Sequence, residues 1–398
     1  MASQKHIQEI YLTRALAIIG VLLVHATSTA IVDLQSSGSD TFIVYNFVNI
    51  FFKFGTPTFI FLSSLVLFYS YSKRPLKPGL LKHFYKRRLA FILLPYAIFS
   101  LIYFWQKIPL LQQWMTSEEI ARQFIFDFLI GKASGHLYFV FISIQFYLLF
   151  PFFLMFFKKY PSASKHAFWV GFLIQWAYVF GVKYGILPSE YKGSVAFSYI
   201  AYYLMGVTVG MNYPKFEQFF ALSRSQTPRR FWFWTAALWV GWAFFSVGHV
   251  TVQYLYRTGV YTADTLIFEF FWNGHTFLSA LVLMQVAYAM YKHASSKVVK
   301  ALLHLGVVSF GVYLLHVLPL HLYREYIDTG HPILYHVRNI GGFVVSLAVS
   351  WLVVGVAMKY WSRAWIFFGA FPKNCRGLIR RQQRKSKKRT RRCQCSDL

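Results

Sequence analysis

The sequence predicts an all-α fold: a polytopic bundle of about ten transmembrane helices with both termini in the cytoplasm. Three observations carry that expectation. Of 398 residues, 57% are hydrophobic, 21% aromatic and 14% charged, with a mean hydropathy of +0.43, whereas a soluble domain carries about 25% charged residues. The apolar residues come in stretches of roughly 20, the length that crosses a hydrocarbon core about 30 Å thick. The basic residues gather in alternate connections, as cytoplasmic loops do.

In chain order the expected spans are 10–32, 42–71, 89–106, 136–157, 166–182, 194–212, 231–250, 264–291, 301–322 and 338–361. The first contains "YLTRALAIIGVLLVHATS". Its length, polar start and lack of a small-residue cleavage site make it an expected span rather than a cleaved signal peptide. The runs 42–71 and 264–291 are longer than an upright crossing needs, so tilted, broken and re-entrant forms stay open for both. In the connection 107–135, the spacing of Ile120, Phe124 and Phe128 predicts a short amphipathic helix at the outer face. "PSASK" and "SRSQTPRR" read as turn-rich cytosolic links. With no repeat of fixed period and no soluble segment longer than a loop, residues 1–371 form one expected membrane domain, followed by a tail at 372–398.

With the N-terminus inside, the inner connections hold Lys73, Arg74, Lys77, Lys82, Lys86, Arg87 and Arg88, and further basic clusters follow after spans four, six and eight. The outer connections hold few, among them Lys107, Arg122, Lys192, Arg257 and Arg324. The net charge of +28 therefore tracks topology first, and nucleic acid is not an expected partner. The tail "RGLIRRQQRKSKKRTRRCQCSDL" is dense in like charge and poor in apolar residues, so it is expected to be disordered and held near anionic lipid, at ~1 kcal/mol per basic residue. All three cysteines, Cys375, Cys393 and Cys395, lie in 372–398, as expected for reduced cytosolic thiols, and a lone C-x-C is too weak a signal for a metal site.

Ionisable groups inside spans need a reason, because an arginine or lysine at mid-membrane costs about 2.5–3.5 kcal/mol even on lenient scales. They are Arg14, His25, Lys53, Glu269, His275, His304 and His316. Arg14 and His25 are eleven residues apart, about three helical turns plus ~20°, so they share one face across roughly 16 Å of rise. That stripe presents a cation near the inner end and a potential base toward the outside. His316 has a depth like that of His25; Lys53 and His275 sit near the middle, and Glu269 lies higher. Packed together, these helices would enclose a polar shaft, cationic below and titratable above. Each residue also has a plainer reading. Arg14 can snorkel to inner head groups, Lys53 can pair with Glu269, and His275 and His316 can be neutral histidines bonded to neighbouring helices. His304 and His321 read as interfacial.

These residues fall in motifs. "TRALAIIGVLLVHA" resembles the first-helix signature of the membrane acyltransferase type 3 family, an arginine and a histidine separated by ten residues. "KFGTPTFIFLSSLVLF" is similar to the family's second helix, "GHLYFVFISIQFYLLFP" to its His-Leu-Trp-Phe element, and "VVSFGVYLLHVLPL" to its late Tyr-Leu-x-His element. The four occur in order across nearly the whole hydrophobic chain. There are departures. Ser63, Ser64 and Leu65 stand where Ser-Gly-Phe is common, so a glycine-permitted close backbone approach is not expected there. Tyr138 replaces a tryptophan, and Ser143 and Gln145 occupy a region where some members carry a glutamate, so no acidic role is expected on that helix.

The resemblance implies transfer of an acyl group, usually acetyl, from cytosolic acyl-CoA to a hydroxyl of an extracytoplasmic carbohydrate, in a multi-pass protein of the bacterial plasma membrane. The partners are then the bilayer, acyl-CoA as co-substrate and a glycan acceptor, with no bound cofactor and no metal. Imidazole is the side chain best matched to activating a hydroxyl near neutral pH, so His25 is the expected base and His316 the second candidate. Arginine's fork suits the phosphates of coenzyme A, which assigns Arg14, with Arg87 and Arg88, to donor binding. Lys53 is expected to hold the donor or steady an oxyanion. Glu269, Asn273, His275 and His136 are the expected acceptor or supporting polar groups. The rival reading is an exporter of a polysaccharide or lipid-linked glycan, for which a polar shaft is equally expected.

Overall fold

The computed structural model describes residues 7–75, 78–222, 227–327 and 331–370. The chain starts with α1 (Glu9–Ser37), α2 (Phe42–Phe51), α3 (Gly55–Tyr71) and α4 (Pro78–Trp105). After the short α5 (Ile108–Leu111) come α6 (Ser117–Ile130), α7 (Tyr138–Lys159), α8 (Ala167–Lys183), α9 (Ile200–Met211) and α10 (Tyr213–Phe220). The last third holds α11 (Arg229–Arg257), α12 (Thr265–His293), α13 (Ser296–Leu315), α14 (Val317–Tyr326), α15 (Pro332–Tyr360) and α16 (Trp365–Phe368). The protein is an all-α polytopic bundle, with no strand among the described residues.

Among the described residues, eight segments are long and apolar enough to cross a membrane: α1, the α2–α3 pair, α4, α7, α11, α12, α13 and α15. The expected spans 166–182 and 194–212 correspond to the shorter apolar helices Ala167–Lys183 and Ala196–Met211. At about 1.5 Å per residue, the 17 residues of α8 reach only ~25 Å, short of a full hydrocarbon core. The two long runs resolve differently. The first breaks at a 3-10 turn, Phe52–Phe54, whereas α12 continues unbroken for 29 residues. The outer connection does form a helix, α6, whose capping box joins Thr116 to Glu119 and which buries Ile120.

α1 is the central helix. Leu12, Thr13, Ala15, Ala17 and Ile18 are fully buried, and α2, α3, α12, α13 and α15 all pack on it. Lipid tails supply no hydrophobic drive between helices, so close packing of small residues has to hold them. At Gly306 of α13 a Cβ would lie 1.8 Å from the Tyr11 carbonyl oxygen, so the two backbones touch. The close approach not expected of α3 is also present, supplied from the other side. Gly206 and Gly210 of α9 are spaced as G-x-x-x-G, and their added Cβ atoms would fall 2.5 Å from Phe61 O and 2.7 Å from Leu65 O. Serine at position 64 is accommodated because the position facing it on α9 is Gly206.

α11 and α15 form the rim. Val240, Phe244 and Val247 on one and Ile340, Val344 and Leu352 on the other are exposed, as lipid-facing residues are.

Candidate active site

Three histidines from distant parts of the chain meet beside the C-terminal half of α1. The rings of His25 and His316 are 5.0 Å apart between centroids, those of His136 and His316 5.2 Å, and those of His25 and His136 6.0 Å. His316 sits where α13 stops and α14 starts. Pro319 in the first turn of α14 suits that restart, since the first amides of a helix have no partner within it. The His316 Nδ1–H donates to Tyr313 O at 2.6 Å, which leaves its Nε2 buried and without a partner among the described residues. Ser346 Oγ donates to the His316 carbonyl at 2.7 Å and holds the bend.

His136 lies on the turn leading into α7. Its Nδ1 is 3.2 Å from Ser134 Oγ, its Nε2 is likewise buried and unpartnered, and its carbonyl accepts from Tyr313 Oη. Among the described residues the His25 ring makes no hydrogen bond, and it lines a cavity of about 330 Å³. Lys53, Thr56, Tyr138, Tyr199 and Trp272 share that cavity, with Tyr138 Oη donating to Thr56 Oγ1 at 3.1 Å. Cavities of this size with a few convergent polar groups are the usual form of a small-molecule site.

A second cavity, about 290 Å³, adjoins the first across Lys53, Tyr199 and Trp272, which line both. Lys192, His249, Gln253 and Glu269 add its polar groups. Glu269 pairs with Lys192 at 2.6 Å, not with Lys53, which forms no ion pair or hydrogen bond among the described residues. Asn273 stands behind that pair. Its Nδ2 donates to Glu269 Oε2 at 3.2 Å, and its Oδ1 accepts from Gln175 at 2.6 Å and Tyr202 at 3.0 Å. His275 is fully buried and set apart from the three-histidine group, with its Nδ1 3.0 Å from Nδ1 of His249. Gln145 clamps the wall of the second cavity: its Nε2 donates to Ser194 O at 2.7 Å and its Oε1 accepts from Ala196 N at 2.9 Å.

Arg14 lies toward the other end of α1, its guanidinium carbon 5.9 Å from the Phe59 ring centroid, its Nε buried and without a partner. It forms no ion pair among the described residues. Arg88 is near enough to Arg14 to act on it electrostatically and stands 6.0 Å from the Tyr147 ring. Arg87 belongs to α4, and its side chain lies outside the described residues, as does the basic tail. Among the described residues, one helix thus carries a cation without an ion pair and an imidazole without a hydrogen bond. His304 accepts from Trp351 Nε1 at 2.7 Å, and His321 is exposed.

Sequence reasoning missed Arg324. It read as an outer-loop residue, yet it is 9% exposed and its Nη2 donates to Ala26 O at 2.7 Å and His25 O at 3.3 Å. α1 is therefore held twice near His25, by the His316 ring at the α13–α14 bend and by Arg324 of α14 on its backbone. Lys192, His249, Tyr199 and Trp272 were missed as well. His249 alone had a usable signal, a histidine inside the seventh span. The aromatic pair was hidden among many membrane aromatics.

A many-span helical bundle with an enclosed polar centre defines a membrane protein built around a buried reaction or transfer site. Its family follows from the chain itself: the family model described as "Acyltransferase domain" matches residues 7–355, and the chain belongs to that family. Curated relatives include the probable poly-beta-1,6-N-acetyl-D-glucosamine export proteins of Staphylococcus aureus strains MSSA476, MW2 and MRSA252. Each is 22% identical over 220 residues, covering 53% of this chain and 59% of the relative. The chain thus spans little more than half the length of those relatives. No solved structure matches it.

Proposed function

We propose that this protein transfers an acyl group, acetyl in the simplest case, from cytosolic acyl-CoA to a hydroxyl of a cell-envelope carbohydrate, from a bacterial plasma membrane. The observation that carries the reading is the pairing on α1 of Arg14, free of any ion pair among the described residues, with His25 facing a cavity beside two further histidines. His25 takes the proton of the acceptor hydroxyl while its oxygen attacks the thioester carbonyl carbon. The oxyanion that forms is steadied by Lys53, the unpaired cation on the same cavity. When the carbon–sulfur bond breaks, the coenzyme A thiolate leaves and the proton held by His25 is returned to it. His316 is the second candidate for that base, and the bilayer keeps donor and acceptor on opposite sides. Arg14, Arg88 and Arg87 hold the phosphates of the donor.

The relatives' printed name favours a second reading, export of a glycan. Purified protein given labelled acetyl-CoA and a glycan separates the two. Donor-dependent acylation or thioester turnover, lost in His25→Ala, is expected. Glycan flux across a proteoliposome membrane without donor use would replace the proposal with the exporter.

A further inference from the structure

We infer that the second cavity is a subsite for a neutral pyranose ring, with Trp272 and Tyr199 as its aromatic platform and the Lys192–Glu269 pair as its polar clamp. The inference rests on the acyl-transfer reading only for the name acceptor; sugar binding itself stands on the cavity. The chemistry of the walls selects the ligand class. A pyranose has C–H faces that pack on aromatic rings and a rim of hydroxyls that need donors and acceptors together. Trp272 and Tyr199 stand edge to face at 6.0 Å and together border both cavities. Glu269 and Lys192, with side chains 17% and 28% exposed, keep capacity for further bonds, and Gln253 adds an amide.

The placement of charge, with Lys192 and Glu269 side by side and Lys53 at the border, argues for a neutral ring over an acidic one. Glu269 is the cavity's own carboxylate, and Lys192 is committed to it at 2.6 Å. A sugar carboxylate in the same space would face Glu269 and compete for Lys192. The remaining cation, Lys53, sits on the border with the His25 cavity, where a reacting carbonyl rather than a sugar rim would meet it. The wall is also built to keep its shape. Asn273 fixes Glu269 from behind, and Gln145 fixes the segment that carries Lys192 and Tyr199. A ring seated here needs only to extend one hydroxyl past the Tyr199–Trp272 border to reach the cavity of His25.

The test is saturation-transfer NMR on the full chain in lipid nanodiscs, without any acyl donor, using methyl β-glucopyranoside, methyl N-acetyl-β-glucosaminide and methyl β-glucuronide. Binding of at least one neutral glycoside is expected, at least tenfold tighter than the glucuronide. That binding should weaken tenfold or more in Trp272→Ala and in Glu269→Gln, the latter keeping the side-chain volume if the former fails to fold. No binding of either neutral glycoside, preference for the glucuronide, or unchanged binding in Glu269→Gln would overturn the subsite. Because no donor is present, absence of acyl transfer in the separate labelled-donor assay would remove the acyltransferase reading while leaving a positive sugar signal standing.

Discussion

Replacing His25 by alanine is the perturbation that the site geometry makes most informative. A positioned general base contributes about 10²–10⁴ in rate, and where this variant falls depends on whether a neighbouring imidazole can take over. His316 is the nearest, at 5.0 Å between ring centroids, but its Nδ1 is bound to Tyr313 O and its carbonyl to Ser346. Proton abstraction needs contact at roughly 2.6–3.2 Å, so an acceptor poised for His25 lies beyond the reach of a ring held in that way. Rescue should be slight and the loss in kcat about a thousandfold, roughly 4 kcal/mol of activation free energy. Stability should change little, about 1 kcal/mol or less, because the His25 ring faces a cavity and forms no hydrogen bond among the described residues. Turnover of labelled acetyl-CoA by purified protein reads the rate, and thermal unfolding monitored by fluorimetry reads the fold. If the correctly folded variant turns over within threefold of the parent, the base is elsewhere and the reasoning from α1 fails. Combining His25→Ala with His316→Ala should cost little beyond His25→Ala alone, since the held His316 ring does not take over the proton.

Three further outcomes are expected. Arg324→Ala removes a buried, charge-assisted bond to α1 worth about 1.5–3 kcal/mol; kcat should fall about tenfold with the donor KM unchanged, and Arg324→Lys should recover part of it. An unchanged kcat would mean that its grip on the Ala26 carbonyl does not position His25. Arg14→Lys keeps the charge and loses the planar fork, so the apparent donor KM should rise about tenfold at constant acceptor KM; equal donor KM in initial-rate measurements would take Arg14 out of that role. Gly206→Val drives side-chain atoms into the Phe61 carbonyl of α3 and should destabilise the bundle by about 1–3 kcal/mol, read as a lower unfolding temperature. Gly79→Ala, with nothing within 4 Å of the added carbon, is the control and should not lower it.

Much of this protein is written along the chain. Hydropathy and length are local properties, and they determined the all-α bundle and the ten apolar segments. The eleven-residue step from Arg14 to His25 is also local, because both lie on one helix whose period sets which side chains share a face. The equal depth of His25 and His316 followed from counting inward from span ends, and the two rings do meet.

What the tertiary structure alone decided depends on which helices are neighbours. His136 joins His25 and His316 only because the turn before α7 folds against the bend between α13 and α14, a contact across 180 residues of chain. Glu269 pairs with Lys192 rather than Lys53 because a loop, invisible to span counting, turns inward and is clamped by Gln145. Arg324 is buried because α14 folds back onto α15 instead of leaving the bundle, and its guanidinium reaches backbone carbonyls of α1 from there. The glycines that bring α3 and α9 together lie on α9, where a motif search confined to α3 does not look. Sequence sets the period and depth of each polar group. Partner choice is set by backbone packing between helices far apart in the chain, and hydropathy carries no record of that.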